Sequence, residues 1–127
     1  MSDVASNAWA DISTDAMTGE IYFGFAMENV GRGAALGVSA AEQIWRKDGS
    51  NVIVPCDGPR SPVIAVGAAT EFFTSKASPD DDRKSGVVEY KDLADHIYRA
   101  EVTYENDGSY WEVIRSVASG PHSRSIL

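Results

Sequence analysis

The sequence predicts an all-β fold, an antiparallel β-sandwich of about seven short strands, and three observations carry that prediction. Tyr98, Ala100, Val102 and Tyr104 alternate with Arg99, Glu101, Thr103 and Glu105, the period of two that an antiparallel strand with one wet face shows. Turn signals recur at short intervals, among them Asp48-Gly49 and Asn106-Asp107-Gly108, as hairpin-rich sheets require. No segment holds helical periodicity long enough to cross over between parallel strands.

Taken in order, residues 1–19 are mostly Ser, Ala, Asp and Asn, with Trp9 and Ile12 as the large apolar exceptions. Ala5, Ala8, Trp9 and Ile12 have helical spacing, and Ser2 or Asp3 is placed to cap a short helix. Such a helix is too short to stand alone, so the segment is expected to be an extended N-terminal arm. From Ile21 to Met27 the chain is aromatic-rich and reads as a strand, with Ile21, Phe23, Phe25 and Met27 on one face. The cluster Asn29-Val30-Gly31-Arg32-Gly33 is a turn in which glycine is expected to supply positive φ.

Ala34 to Trp45 fits two descriptions. Leu36, Val38 and Ala40 alternate as a strand does, while Ser39-Ala40-Ala41-Glu42 matches a helix capping box. The strand is preferred, because Asp48-Gly49 then turns the chain into Val52-Ile53-Val54. Pro55 to Pro62 is loop, Val63–Val66 and Glu71–Thr74 are short strand candidates around Gly67, and Ser75 to Gly86 reads as a polar loop. Val88 and Tyr90 begin the clean alternation that runs through Tyr104, and Tyr110 to Val117 returns with Trp111 and Val113 sharing a face. The expected organisation is an arm at 1–19, a sandwich domain at 20–117 and a short C-terminal tail at 118–127.

A chain of 127 residues with 43% hydrophobic content is sized for one domain and can bury a core without disulfides or metal. Eleven Lys and Arg face 19 Asp and Glu, a formal charge of −8, which repels phosphate backbones and argues against nucleic acid as a partner. Cys56 is the single cysteine, so no intrachain disulfide framework exists. Asp3, Asp11 and Asp15 stand where a secretory signal would be basic and then apolar. No stretch reaches the roughly 18 apolar residues of a membrane helix. A soluble chain without a membrane partner is expected, in the cytoplasm or a virion.

The stretch Asn29-Val30-Gly31-Arg32-Gly33-Ala34-Ala35-Leu36-Gly37-Val38 follows an aromatic strand, and Tyr90, Asp92 and Tyr98 come late in the chain. Together these resemble an immunoglobulin-like sandwich domain of uncharacterised bacterial proteins, in which Asn-x-Gly-x-Gly leads into the second strand. The resemblance covers residues 21 to 104 and implies an immunoglobulin-like sandwich. Asp95 stands where that pattern has glycine, and Asp tolerates the left-handed region better than most residues. The motifs are turn and core residues, so the resemblance implies a fold and no activity. Members of that family often follow a membrane segment, which this sequence lacks.

Several patterns with chemical potential have plainer readings. Gly31-Arg32-Gly33-Ala34-Ala35-Leu36-Gly37 superficially matches a dinucleotide loop, but the acid expected for the ribose falls near position 51, which is Asn. His96, His122 and Cys56 lack the short spacing of metal ligands. Asp80-Asp81-Asp82 is contiguous, whereas calcium loops space their oxygens alternately. A nucleophile elbow is absent, and Asp57 beside Cys56 disfavours a thiolate. No catalytic, cofactor-binding or metal-ligating residue is expected.

The function expected is therefore non-enzymatic: a structural module that packs into a larger homo-oligomer, a virion component being one such assembly. Trp9 and Ile12 at one end, and Ile126 and Leu127 at the other, are the expected apolar anchors to neighbouring subunits. The alternative is a monomeric adaptor or ligand-binding module that uses the loops Pro55–Pro62 and Ser75–Gly86. An enzyme of unmarked class comes last.

Overall fold

The computed structural model describes residues 6–56, 63–108 and 110–127, with side chains except at 6–11 and 73–75. Among them are eight strands and no helix: β1 (Ser6–Thr14), β2 (Ile21–Asn29), β3 (Leu36–Arg46), β4 (Asn51–Pro55), β5 (Ala69–Lys76), β6 (Asp81–Lys91), β7 (Ile97–Asn106) and β8 (Trp111–His122). They form a three-stranded sheet in the order β1-β2-β5 and a five-stranded sheet in the order β4-β3-β6-β7-β8. Every pairing is antiparallel. The chain is a β-sandwich.

The inward face of β2 supplies Phe23, Phe25 and Met27, all buried, as the period of two requires. Opposite them stand Val88 and Tyr90 from β6 and Tyr98, Ala100, Val102 and Tyr104 from β7. Phe23 packs 4.8 Å from both the Tyr104 and the Trp111 ring centroids, tying the sheets by aromatic contact. The Tyr104 hydroxyl donates to the Gly24 carbonyl, so its polar tip is satisfied inside the core.

Ala34 to Trp45 resolves as strand β3, and Asp48-Gly49 closes the β3–β4 hairpin. The Gly49 amide donates to Arg46 O at 3.0 Å and Gly49 has φ 87°, a value that suits glycine. Asp95 occupies the left-handed region at φ 67°, as the turn between β6 and β7 demands.

Several expectations are corrected. Residues 6–14 are neither helix nor free arm: they pair with β2 along their length, from Ser6 opposite Asn29 to Thr14 opposite Ile21. The polar stretch 75–86 is loop only between Lys76 and Asp81, since β6 already begins at Asp81. Val63–Val66 is reduced to one bridge, Ile64 to Ala35. The tail begins later than residue 118, because β8 runs to His122. Trp111 and Val113 share a face as expected, opposite Asn106 and Tyr104 and ahead of the register shift in β8, with Trp111 buried and Val113 exposed.

The 29–33 turn forms without positive φ at Gly31 or Gly33. Asn29 organises it. Its buried side chain donates to Gly33 O at 2.9 Å and Ile64 O at 3.0 Å and accepts from the Gly31 amide at 3.0 Å.

Candidate functional site

Two places combine exposed chain with charged side chains held in the fold. The first is a groove of about 980 Å³ between the β3–β4 margin and the β5–β6 connection. On β3, Glu42 and Ile44 continue the inward face of Val38 and Ala40, and across the hairpin Glu42 stands opposite Val54 and Ile44 opposite Val52. On β6, Lys84 lies opposite Ile44. Lys84 Nζ reaches Glu42 Oε1 at 2.6 Å, with the two side chains 3% and 9% exposed. The same ammonium lies 4.7 Å from the Phe23 ring centroid, so it is held by a carboxylate and a π-face together. The groove's cations Arg46, Lys47, Lys76 and Lys84 are matched by the carboxylates Glu42, Asp48, Asp80 and Asp81. Its described lining is charge-balanced, on a chain of formal charge −8.

Beside the groove, β4 is the margin of the five-stranded sheet and, among the described residues, pairs with β3 alone. Its residues Asn51 to Pro55 carry no charge, and Ile53 and Val54 are 56% and 42% exposed. Such a margin offers backbone groups and apolar side chains to another strand.

The second place is the outer face of the five-stranded sheet. Glu89 on β6 stands opposite Arg99 on β7, and Arg99 Nε donates to Glu89 Oε2 at 2.7 Å. Residues 123–127 lie over this pair. The Ile126 amide donates to Glu89 Oε2 at 2.9 Å, the Ser125 hydroxyl donates to Glu89 Oε1, and Arg99 Nη2 donates to the Arg124 carbonyl at 2.8 Å. Glu89 is thereby 3% exposed despite facing outward. Burial pushes its carboxyl up, and the donors Ile126, Ser125 and Arg99 outweigh that and hold it below the ordinary glutamate value. Each hydrogen bond to a charged group contributes about 1.5–3 kcal/mol, while ordering a residue costs about 1–2 kcal/mol. For so short a segment the two are comparable.

Of the anticipated anchors, Ile126 and Leu127 are 55% and 43% exposed. Ile12 packs against the core cluster instead of reaching outward, because β1 is part of a sheet. The Trp9 backbone lies in β1 opposite Ala26, and its side chain lies outside the described residues. The loop Pro55–Pro62 also falls largely outside them, at 57–62. The Gly31–Gly37 stretch joins β2 to β3, strands of different sheets, so it makes no strand–loop–helix cradle for a pyrophosphate. Asp81 is buried and accepts from the Ser78 amide at 3.3 Å, closing the turn into β6. His96 bonds Asp92 Oδ2 at 2.9 Å and His122 bonds Ser119 Oγ at 2.9 Å, and Cys56 packs against the core. No helix among the described residues is long and apolar enough to cross a membrane.

Compared with known proteins, the chain matches no family model and no curated protein. Among solved structures it is similar to a Bordetella pertussis protein described as a candidate ApaA, at 16% identity over 91% of each chain with a TM-score of 0.39. It is also similar to an X-ray structure of a structural genomics target, at 14% identity over 98% of this chain and 92% of the other, with a TM-score of 0.37. Likenesses this loose carry no argument about function.

Proposed function

We propose that the chain is a non-enzymatic structural module that assembles with copies of itself through the β4 margin. The observation that supports this reading is an uncharged, exposed margin strand beside a charge-balanced groove. Copies that each carry a charge of −8 repel one another wherever acidic faces meet, and least where the surface is locally neutral. An antiparallel pairing about a two-fold axis at Ile53 sets that residue against itself and Val52 against Val54 of the second copy, a self-complementary contact of the kind dimers use. The pairing would continue one five-stranded sheet into the next.

A virion role had its basis in a free N-terminal arm, and with Ser6–Thr14 paired into a sheet that analogy has less behind it. The adaptor alternative leaned on the loops Pro55–Pro62 and Ser75–Gly86; most of the second is strand, and 57–62 of the first lie outside the described residues.

Native mass by light scattering over a concentration series tests the assembly. The expected result is a mass that rises to a dimer or beyond for the natural chain. Ile53→Lys should return it to a monomer with little change in melting temperature, since a charged margin residue blocks edge pairing. A natural chain that stays monomeric up to about 1 mM overturns the proposal.

A further inference from the structure

We infer that the Glu89–Arg99 pair is a recognition site for an extended peptide segment, filled within the chain by residues 124–126 and open to the same segment of a second copy. The site reads a short polar pattern. Arg99 Nη2 takes a carbonyl at Arg124, Glu89 Oε1 takes the hydroxyl of Ser125, and Glu89 Oε2 takes the amide of Ile126. The carboxylate is fixed in turn by Arg99 Nε at 2.7 Å. Two adjacent strands therefore present a preformed acceptor and donor for main chain, as peptide-binding surfaces do.

Every residue from Ser123 to Leu127 remains exposed, so the segment is held by polar contacts with little apolar burial. Ile126 and Leu127 project from it uncovered. A recess of about 240 Å³ lies beside Ser125, walled by Gly37, Ser39, Tyr90, Lys91 and Ile97. Nothing in these contacts requires the segment to come from the same chain. The occupant that best fits is a second copy, because it carries the identical segment and can offer the same carbonyl, hydroxyl and amide to Arg99 and Glu89. Local tethering gives a chain's own segment a high effective concentration, so exchange shows itself only where that competition is removed.

This inference shares with the assembly proposal only the idea that copies meet, and it uses a different face. The test is therefore made in the full chain carrying Ile53→Lys, which blocks β4 pairing. An acceptor, Ile126→Pro, lacks the amide that Glu89 holds and empties its own site. A donor, Glu89→Ala, cannot dock its own segment. Mixed, they should give a 1:1 complex by light scattering, while each alone stays monomeric. A fluorescent peptide of residues 119–127 should also saturate the acceptor, with Ser125→Ala in the peptide weakening binding about tenfold. The peptide arm stands even if Glu89→Ala fails to fold. A folded acceptor that binds neither donor nor peptide at about 1 mM overturns the site. Binding of peptide without binding of a folded donor overturns the second copy as its occupant.

Discussion

Lys84 and Glu42 show what a single buried charge asks of its neighbours. Lysine and glutamate almost never sit inside unless paired, and here the pair stands on the inward faces of β6 and β3, 2.6 Å apart. Removing one partner leaves the other buried and uncompensated, which costs about 3–5 kcal/mol, whereas replacing both with apolar residues of similar volume is often neutral or stabilising. Lys84→Met is therefore expected to lower the urea midpoint sharply, and Lys84→Met with Glu42→Leu to recover most or all of it. A double variant as unstable as the single one means the pair does not act as a unit. Neither residue stood out in the sequence, where Glu42 completed an apparent capping box and Lys84 followed Arg83 in what looked like a loop. An inward charge breaks the alternation that marks a core strand, and only its partner on another strand explains it. Asn29 is a related case: the 29–33 turn was legible, but its agent was taken to be glycine rather than a side chain that bonds Ile64, 35 residues away.

At the scale of elements, β2 and β7 were legible because their apolar residues alternate over a long run, and β3 because the Asp48-Gly49 turn after it decided between two readings. β1 was not, because Ala8, Trp9 and Ile12 satisfy helical spacing while Ala8, Ala10 and Ile12 also alternate. Over nine residues the two periods overlap, and pairing with β2 decides between them. β6 was legible only from Val87 onward, since Asp81-Asp82-Arg83-Lys84 has the composition of a solvated turn. The docked segment 123–127 had no signal at all beyond its exposed Ile126 and Leu127. Its placement depends on the end of β8, where Gly120 has φ 138°. A Cβ there would lie 2.7 Å from Tyr98 Cδ1 and 3.0 Å from both Ile97 O and Tyr98 Cα. Two of those atoms are backbone and cannot swing aside. Gly120→Ala should cost about 1–3 kcal/mol and pull the following residues off Glu89. Faster hydrogen exchange at the Ile126 amide would report the second effect. Unchanged stability and exchange would show that the end of β8 accommodates the methyl.

Across the whole molecule, carboxylates with depressed titration are spread over both sheets' turns. Lys76 and then Tyr22 hold Glu20 low, the Met17 and Thr18 amides hold Asp15 low, and Ser50 does so for Asp48. Burial pushes Asp92 up, but His96 and Tyr98 more than reverse it, and Glu89 is lowered by the docked segment despite its burial. Each group binds a proton less readily folded than unfolded. The stability they contribute is complete above the ordinary values of 3.8 for Asp and 4.5 for Glu and is lost as the pH falls through the depressed ones. Net charge acts in the opposite sense over a higher range, because the charge of −8 at pH 7 shrinks toward zero near the isoelectric point of about 4.6. Repulsion between copies weakens on that descent while the carboxylate contacts are still intact. Self-association should therefore strengthen from pH 8 to pH 5, with the melting temperature nearly flat, and the melting temperature should drop only below about pH 4. Added salt should imitate the first change at pH 8 by screening without causing the second. Light scattering and thermal melts across the same buffers separate the two. A melting temperature that already falls between pH 7 and pH 5 would mean that groups other than these carboxylates govern the acid response.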